Sequence, residues 1–436
     1  MLEQRSFTWR GDLAPGLERN AKGELVIGGV RAPDLATSYG TPLVIIDVGL
    51  LDHAVEEFVA ACAPYDIEIA YSGKALLFGA LVKKLARTPL AIDVCSLGEL
   101  LTAERAAFPA ARLRMHGCGK TDEEVRAIAA GRVAITIVDG CEEIARLGEA
   151  AHNDRPVDIL LRVNTGIEAK THAFVRTAGE HSKFGIAANQ LPTALALTRR
   201  FPALRTRGLH SHLGSNIFDF DAYGANVDIM VDLLAQGMAA GHPLDQLNLG
   251  GGFGVESAPG AELPLPIADI ARILAQRVRA RAIMRNVQPP RLGIEPGRGI
   301  IARAGTTLYT VMAAKVQGAQ RFAIIDGGLA DNPRPAFYDA HHQLIMASRA
   351  LGSAPVTYAV CGRSCESDEL GEAMLAPDLA AGELVAMCTT GAYTFSMASN
   401  YNRFTKPAIT FVEGGKHRLV VRRERVEDVV AMDVLE

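Results

Sequence analysis

The sequence predicts an α/β protein: a (β/α)8 barrel followed by a mostly β C-terminal domain. From about residue 67 to about residue 297, short β-rich runs alternate eight times with stretches of helical spacing. After about residue 305 the helical stretches stop, and short runs bounded by glycine, proline or charged residues replace them. For the first part, periodicity alone leaves a doubly wound sheet open as the alternative.

The eight predicted strands are separated by stretches with helical spacing. In two of these stretches, Leu76–Arg87 and Ile267–Met284, apolar residues recur at the spacing of a buried helix face. We therefore predict one barrel domain over 41–305. Its strands are predicted at Ile67–Ser72, Leu90–Cys95, Arg112–Gly117, Ala134–Asp139, Asp158–Val163, Arg207–Leu213, Gln246–Gly252 and Arg291–Gly297.

The rest of the chain predicts a β domain over 306–436. The first forty residues contain the apolar run Leu25–Val30, so we expect strands from 1–40 to join this domain. Its own strands are predicted at Thr307–Val316, Phe322–Asp326, Val356–Cys361, Leu384–Cys388, Ala408–Val412 and Arg418–Val421.

Composition excludes several classes of protein. The chain has 436 residues, 49% of them hydrophobic, which is enough for sizeable cores in two domains. A net charge of −4 without a basic block argues against nucleic-acid binding. No run approaches the roughly 18 apolar residues of a membrane span, so no membrane partner is expected. The N-terminus predicts no signal peptide. Seven cysteines without a CxxC pair argue against disulfides and zinc, and we expect a cytoplasmic protein.

Polar residues or glycines stand at or near the carboxyl ends of seven of the eight predicted strands. In a barrel these ends converge on one mouth, where active sites are built. One such residue would mean little, but seven are difficult to explain by packing. They are Lys74, Asp93, His116, Arg162, His210, His212, Gly250–Gly252 and Glu295–Arg298.

Three successive glycines follow the seventh predicted strand. Because they lack side chains, Gly250, Gly251 and Gly252 let backbone N–H groups approach an anion closely. Late barrel strands commonly hold a phosphate, and Ser215, after the sixth strand, is expected to face the same group. A plain tight turn is the alternative.

In chain order, the motifs of this sequence resemble those of the fold-type III pyridoxal-phosphate decarboxylases, and among them the bacterial diaminopimelate decarboxylases. The resemblance covers nearly the whole chain. It implies a barrel of the alanine-racemase type, pyridoxal phosphate as the cofactor, and no metal. The matching motifs are Tyr71–Ala75, Asp93–Leu100, Leu161–Asn164, Ser182–Gly185, Gly208–Ser215, Gly250–Phe253, Glu295–Arg298, Asp326–Gly328, Arg334–Tyr338, Cys365–Ser367 and Gly391–Tyr393.

The resemblance implies cofactor contacts for most of these strand-end residues. Lys74 is expected to carry the cofactor covalently, since a desolvated amine is the usual nucleophile for an aldehyde. Glu295 is expected to keep the pyridine nitrogen protonated, and His212 to lie flat against the ring. Asp93 and Arg162 are expected to orient the ring, with an interior ion pair as the alternative. The phosphate is expected to contact Gly252, Ser215, Gly297, Arg298 and Tyr393.

The resemblance also implies a substrate pocket. Arg298 and Arg334 are expected to bind a distal carboxylate, because guanidinium groups bind carboxylates in a bidentate way. Tyr338 and Tyr393 are expected to line the same pocket, and Glu366 to accept the distal ammonium group. For Arg334, a solvated loop arginine is the alternative.

The implied reaction is decarboxylation of meso-2,6-diaminopimelate to L-lysine and carbon dioxide. Cys365 is expected to donate the proton that replaces the carboxylate at Cα, although a free cysteine is most often a small buried hydrophobe. In the family, two chains pack head to tail, and each site takes its Cys365–Glu366 segment from the partner. A homodimer with shared sites is therefore expected. His210 is expected to be structural, facing away from His212 by strand alternation, and His116 has no predicted role.

Three other functions stay open. A decarboxylase of ornithine or arginine shares the cofactor machinery but does not need Arg334 at the far end of its substrate. A decarboxylase of a modified amino acid, in natural-product or siderophore synthesis, fits the segment in which Ser367 runs directly into Asp368, one residue shorter than the family pattern. A non-enzymatic regulatory homologue would be expected to lack Lys74 or Cys365, and both are present.

Overall fold

The computed structural model describes residues 13–167, 182–218 and 220–435. The N-terminal residues on which the signal-peptide prediction rests lie outside this part of the chain. The chain divides into two compact units. We call 55–254 with 263–297 the barrel unit, and 1–54 with 255–262 and 298–436 the β unit.

The described residues contain the following regular elements. The strands are β1 (Leu17–Arg19), β2 (Leu25–Ile27), β3 (Val30–Arg31), β4 (Leu43–Asp47), β5 (Glu68–Ser72), β6 (Ala91–Val94), β7 (Leu113–Met115), β8 (Ile135–Val138), β9 (Val157–Asn164), β10 (Ile186–Ala187), β11 (Leu204–His210), β12 (Gln246–Asn248), β13 (Arg291–Ile294), β14 (Gly305–Gln317), β15 (Gln320–Ile325), β16 (Leu344–Met346), β17 (Val356–Cys361), β18 (Glu369–Leu375), β19 (Leu384–Cys388), β20 (Ala408–Glu413) and β21 (Lys416–Val421). The α-helices are α1 (Ala32–Tyr39), α2 (Val48–Cys62), α3 (Gly79–Leu85), α4 (Leu97–Arg105), α5 (Asp122–Ala129), α6 (Cys141–Ala150), α7 (Leu191–Thr198), α8 (Phe220–Ala239), α9 (Ile267–Met284), α10 (Arg298–Ile301), α11 (Arg334–Tyr338) and α12 (Val426–Val430).

Eight parallel strands of the barrel unit close into a ring. Their order is β9-β11-β12-β13-β5-β6-β7-β8, and β8 pairs with β9 to complete the ring. The short strand β10 pairs with β9 outside this ring. Each of the eight predicted strands overlaps one strand of the ring, so the predicted fold class is confirmed and the doubly wound alternative is wrong.

Local sequence explains the regularity of these units. The residues of β6 are all buried, as expected for a parallel strand covered on both faces. The hydroxyl of Ser96 caps α4 by accepting from the Glu99 N–H at 3.2 Å. Thr121 and Glu124 form a capping box at the start of α5. These caps fix the connections that follow the strand ends, where the predicted site lies.

The β unit contains one large mixed sheet and one small antiparallel sheet. The large sheet has the order β18-β17-β15-β14-β4-β20-β21, with β19 joining β14 to β16. The small sheet is β1-β2-β3, and Leu25 and Ile27 are buried in the same core as Ile45 and Leu308. The sequence boundaries at 41–305 and 306–436 stay a prediction, although β4 belongs to the large sheet of the β unit.

The strands predicted from the sequence do not include β1, β4, β10, β16 or β18. The residues of β4 are all buried and precede a helix, so this run reads like one more barrel repeat. Its partners β14 and β20 lie far along the chain, and only the tertiary pairing assigns it to the other sheet.

Within the described residues, no helix combines the length and apolar character needed to cross a membrane.

Candidate functional site

Lys74 lies directly after β5, in a turn whose backbone is closely packed. A Cβ on Gly73 would lie 2.6 Å from the carbonyl oxygen of Asp93, so this position accepts little more than glycine. The hydroxyl of Tyr71 donates to the carbonyl oxygen of Leu76 at 2.7 Å. The turn is therefore fixed, while the side chain of Lys74 is exposed.

Glu295 lies directly after β13, between two histidines. Its Oε2 lies 3.1 Å from Nε2 of His210, and its Oε1 lies 3.1 Å from Nε2 of His116. Asp93, in β6, has its Oδ1 3.6 Å from the same nitrogen of His116. The two imidazole rings meet edge to face, with centroids 5.2 Å apart. The four side chains thus form one cluster inside the barrel unit.

The charges in this cluster follow from burial and mutual contact. Burial would raise the pKa of Glu295, but the two histidines outweigh it and hold that pKa well below its usual value. Burial lowers the pKa of His116, but Glu295 and Asp93 outweigh it and raise that pKa to about 9. Burial lowers the pKa of His210 to about 4. At neutral pH a Glu295 carboxylate therefore lies between an imidazolium and a neutral imidazole.

Buried oxygens of the cluster have unused hydrogen-bonding capacity. Among the described residues, Oε1 of Glu295 and both carboxylate oxygens of Asp93 are buried and accept no well-aligned hydrogen bond. Burial, together with the charge of Glu295, raises the pKa of Asp93 to about 6. Since buried polar atoms are nearly always satisfied, these oxygens indicate a place for an external donor. A protonated pyridine nitrogen is a donor of this kind.

The predicted phosphate loop packs tightly against the loop after β11. The N–H of Gly251 donates to Nδ1 of His212 at 3.1 Å. Gly250 has φ 68°, and a Cβ there would lie 2.7 Å from the same nitrogen. Gly252 has φ 95°, and a Cβ there would lie 2.2 Å from the carbonyl oxygen of Gly214. Glycine is therefore required at both positions by backbone conformation and by space, and Ser215 follows Gly214 on the opposing loop.

The surroundings of His212 favour an uncharged imidazole. Burial, and next the positive charge of Lys74, lower the pKa of His212 well below its usual value. A neutral imidazole beside this loop can lie against an aromatic ring. The glycine cradle and the unsatisfied carboxylates together fit a cofactor with a phosphate and a pyridine ring, so the residues present are compatible with pyridoxal phosphate.

Arg162 and Gly297 border the same region. Nη1 of Arg162 lies 3.6 Å from Oδ1 of Asp139, and the guanidinium lies over the ring of Phe184, 4.5 Å from its centroid. Arg162 therefore has an interior ion-pair partner, but this partner is Asp139, whereas Asp93 lies beside His116. A Cβ on Gly297 would lie 3.1 Å from the Cβ of Ser72, so this glycine packs against the turn that carries the predicted cofactor lysine.

In the β unit, four predicted residues form an arginine–tyrosine cluster. The guanidinium of Arg298 lies 4.8 Å from the ring centroid of Tyr393. The guanidinium of Arg334 lies 5.8 Å from that centroid and 5.3 Å from the centroid of Tyr338. Burial, and then the charge of Arg298, lower the pKa of Arg334 to about 9. No carboxylate of the described residues pairs with Arg334, so the cluster is suited to bind an anion.

Cys365 and Glu366 are exposed and have different neighbours. The N–H of Cys365 donates to Oδ1 of Asn402 at 3.1 Å, and the hydroxyl of Tyr401 donates to Glu366. After them Asp368 is buried, and its Oδ2 accepts a hydrogen bond from the N–H of Leu329 at 3.2 Å. The shortened segment is therefore closed by a buried aspartate.

Sequence reasoning missed several residues that contact the predicted site. It placed His210 away from His212 by strand alternation, but residues two apart in a strand lie on the same face, so alternation does not support this expectation. In addition, the strand β11 ends at His210, and His212 lies beyond it. His116 was left without a role, and Tyr401 and Asn402 were not identified. The position of His116 at a strand end was the available signal; no signal in the sequence marked the other two.

Comparison with known proteins agrees with this geometry. Residues 48–302 match the model of the pyridoxal binding domain of pyridoxal-dependent decarboxylases. A diaminopimelate decarboxylase of Actinosynnema pretiosum is 39% identical over 421 residues, which cover 95% of this chain and 94% of that protein. One of Bacillus subtilis is 37% identical over 424 residues, covering 95% and 96%.

A solved structure extends the similarity to three dimensions. Diaminopimelate decarboxylase from M. jannaschii, in complex with L-lysine, matches with a TM-score of 0.89 and 26% identity, covering 96% of this chain and 98% of that one. The family model covers more than half of the chain, and the relatives align with nearly all of it. The chain therefore belongs to the family of pyridoxal-dependent decarboxylases.

Proposed function

We propose that this chain decarboxylates meso-2,6-diaminopimelate to L-lysine and carbon dioxide. The observation that carries the substrate is the cationic cluster in the β unit. Arg334 is buried, has no carboxylate partner among the described residues, and lies with Arg298 around the ring of Tyr393. A buried guanidinium without an anion is costly, so its natural partner is a carboxylate of the substrate. The relatives named above are diaminopimelate decarboxylases.

When bound, pyridoxal phosphate supplies an aldehyde for amines and a protonated ring that takes up the electrons of a breaking bond. In this proposal Lys74 provides the amine that holds the cofactor. Glu295 accepts the hydrogen bond of the ring nitrogen, because its pKa keeps it ionised. His212 lies against the ring face, and Asp93 and Arg162 orient the ring edge.

The phosphate is proposed to lie at the glycine loop. The N–H groups of Gly250 and Gly251 already donate to Oδ1 of Asn248 and to Nδ1 of His212, so in this proposal Gly252 supplies the N–H that contacts the phosphate. A Cβ at Gly252 would lie 2.2 Å from the carbonyl oxygen of Gly214, so a side chain at this position would displace the loop that carries Ser215. The full proposed set of phosphate contacts is Gly252, Ser215, Gly297, Arg298 and Tyr393.

For the substrate, Arg298 and Arg334 are proposed to bind the distal carboxylate, with Tyr338 and Tyr393 beside it. Glu366 accepts the distal ammonium group. The thiol of Cys365 donates a proton to Cα after carbon dioxide leaves. No partner group for a second carboxylate is needed with ornithine or arginine, which is why the arginine cluster favours diaminopimelate over these amino acids.

We further propose a homodimer in the cytoplasm, with Cys365 and Glu366 supplied to the partner's site. Both residues are exposed in the single chain, which supports contact with a second copy. A two-fold dimer would produce two equivalent composite sites. All seven cysteines are free, in keeping with a reducing compartment.

Carbon dioxide release over a panel of amino acids tests the substrate. The expected result is turnover of meso-diaminopimelate, with little or none of ornithine, arginine and lysine. Turnover of ornithine or arginine in preference would contradict the proposal and favour a basic amino-acid decarboxylase. Turnover of none of the four, by protein that carries its cofactor on Lys74, would favour a modified amino acid as substrate.

A further inference from the structure

Two histidines of the barrel unit, the half-buried His116 and the buried His210, have no part in the proposed chemistry. His116 follows β7, and His210 ends β11. Each contacts a different oxygen of Glu295, at 3.1 Å in both cases. Two separate strands therefore supply one imidazole each to a single carboxylate.

We propose that His116 and His210 are positioning residues that fix the carboxylate of Glu295 for the pyridine nitrogen of the cofactor, and that His116 does so as a cation shared with Asp93. This inference rests on the proposed function, in which Glu295 faces the ring nitrogen. The histidines act through Glu295 and are not themselves assigned a contact with substrate or cofactor.

The geometry fixes the rotation of the Glu295 side chain. Its backbone N–H donates to the carbonyl oxygen of Gly250 at 2.8 Å, which holds the main chain. The hydrogen bond with His210 at Oε2 and the ion-pair contact with His116 at Oε1 then fix the terminal torsion. Each oxygen has two lone pairs, so a contact to one histidine leaves capacity for a further donor. The buried, unsatisfied Oε1 of Glu295 shows that this capacity is not used by the described residues.

The two histidines differ in charge. His210 is a neutral donor, because burial keeps its pKa near 4. His116 lies between two carboxylates, 3.1 Å from Glu295 and 3.6 Å from Asp93, and is positively charged. A buried carboxylate without such a cation would take up a proton, and the neutral acid could not pair with a protonated ring nitrogen.

Two arginines near the cluster have partners of their own. Arg114, which is buried, pairs with Glu68. Arg162 pairs with Asp139. His116 is thus the group placed to balance the charge of Glu295, and the loss of that charge should not be replaced from nearby.

The difference in charge gives a sharp set of variants. Glutamine places an uncharged N–H near the position of the histidine Nε2. His210→Gln should therefore preserve the binding of pyridoxal phosphate, whereas His210→Leu should weaken it. His116→Gln should weaken the binding of pyridoxal phosphate, because it keeps a polar N–H at this position without the charge, and His116→Leu should weaken it as well. His242→Gln is the matched control, since His242 is a buried histidine of the same unit that precedes β12.

The measurement is the dissociation constant of two cofactors from the full-length chain after removal of bound cofactor. One is pyridoxal phosphate, and the other is its 1-deaza analogue, in which a C–H replaces the ring nitrogen. For both His116 variants we expect about tenfold weaker binding of pyridoxal phosphate and less than about twofold change for the analogue, since only the first needs an ionised partner at that atom. His210→Leu should show the same selectivity, and His210→Gln and His242→Gln should resemble the wild type.

Several outcomes would overturn the inference. Equal weakening for both cofactors would make the histidines merely structural, and unchanged binding of both would remove any role. If His116→Gln binds pyridoxal phosphate as tightly as the wild type does, no positive charge is needed at position 116. If a leucine variant does not fold, the glutamine variants, which keep volume and polarity, still decide between these outcomes.

The same measurements distinguish a failure of the proposed function from a failure of the inference about the two histidines. Wild-type protein that binds both cofactors equally well would show that Glu295 does not face the ring nitrogen. If the wild type prefers pyridoxal phosphate and Glu295→Gln abolishes that preference, Glu295 is placed as proposed. Histidine variants that keep the preference would then contradict only the inference about His116 and His210.

Discussion

The side-chain oxygen of Asn402 accepts a hydrogen bond from the backbone N–H of Cys365 at 3.1 Å. Asn402 has φ 51°, in the left-handed region that asparagine tolerates better than most residues. The neighbouring hydroxyl of Tyr401 donates to Glu366. The segment proposed to deliver the thiol and the ammonium acceptor is therefore shaped by side chains that follow much later in the chain.

Replacement of Asn402 should impair turnover while leaving cofactor binding intact. Asn402→Ala removes the acceptor and adds backbone strain, whereas Asn402→Gly removes only the acceptor. Loss of one hydrogen bond predicts roughly a tenfold fall in kcat for the glycine variant, and a larger fall for alanine. The kcat for meso-diaminopimelate and the absorbance of bound cofactor are the measurements. A parallel loss of cofactor would indicate general damage instead.

Lys74 should carry the cofactor. Purified protein should be yellow, and borohydride reduction should fix the cofactor on the peptide that contains Lys74, as seen by mass spectrometry. Lys74→Ala should bind the cofactor without a covalent link and lose nearly all activity, because the other contacts remain. Lys120→Ala is not a suitable control, since Lys120 forms a buried ion pair with Glu143. The exposed Lys83 is a suitable control, and Lys83→Ala should change neither the labelling nor the activity. Labelling on another lysine would contradict the assignment.

Gly252→Ala should weaken cofactor binding. The added Cβ would lie 2.2 Å from the carbonyl oxygen of Gly214 and would strain a backbone at φ 95°. Gly382→Ala is the matched control, because Gly382 has φ 91° but nothing within 4 Å of the added atom. We expect at least about tenfold weaker binding of pyridoxal phosphate for Gly252→Ala, and wild-type affinity for Gly382→Ala. Equal behaviour of the two variants would locate the phosphate elsewhere.

Arg334→Ala should weaken selection for a distal carboxylate. Removing one partner of a buried charge pair costs roughly 2–5 kcal/mol. Activity on meso-diaminopimelate should fall far more than any residual activity on lysine or ornithine, as measured by kcat/KM. Arg321→Ala is a control in the same unit, because Arg321 also lies over a tyrosine, 6.0 Å from the ring centroid of Tyr358. An equal loss on all substrates would make Arg334 structural.

Mixing two inactive variants tests the shared site. Lys74→Ala and Cys365→Ala chains that exchange subunits should form mixed dimers, each with one intact site and one site with both defects. Random exchange makes about half of the dimers mixed, so activity should return to roughly a quarter of the wild-type level. If mass spectrometry shows exchange and no activity returns, Cys365 serves its own chain or no site at all.

The sequence by itself determined the barrel and most of the cofactor region. Parallel strands buried on both faces produce apolar runs at regular intervals, and polar residues can follow them only at the strand ends. That local rule placed Lys74, Asp93 and Glu295 correctly at the ends of β5, β6 and β13 or close to them. The resemblance to the family then predicted pyridoxal phosphate as the cofactor, in agreement with the match to the pyridoxal binding domain.

Only the tertiary structure decided which side chains contact each other. The strand β4 reads like a barrel strand, and its pairing with β14 and β20 depends on residues far away in sequence. His116 and His210 meet at Glu295 because closure of the ring brings β7 and β11 around β13, which spacing along the chain does not encode. The charges of the two histidines also depend on the fold. Burial and neighbouring groups make His116 a cation and leave His210 neutral, although their sequence contexts look alike.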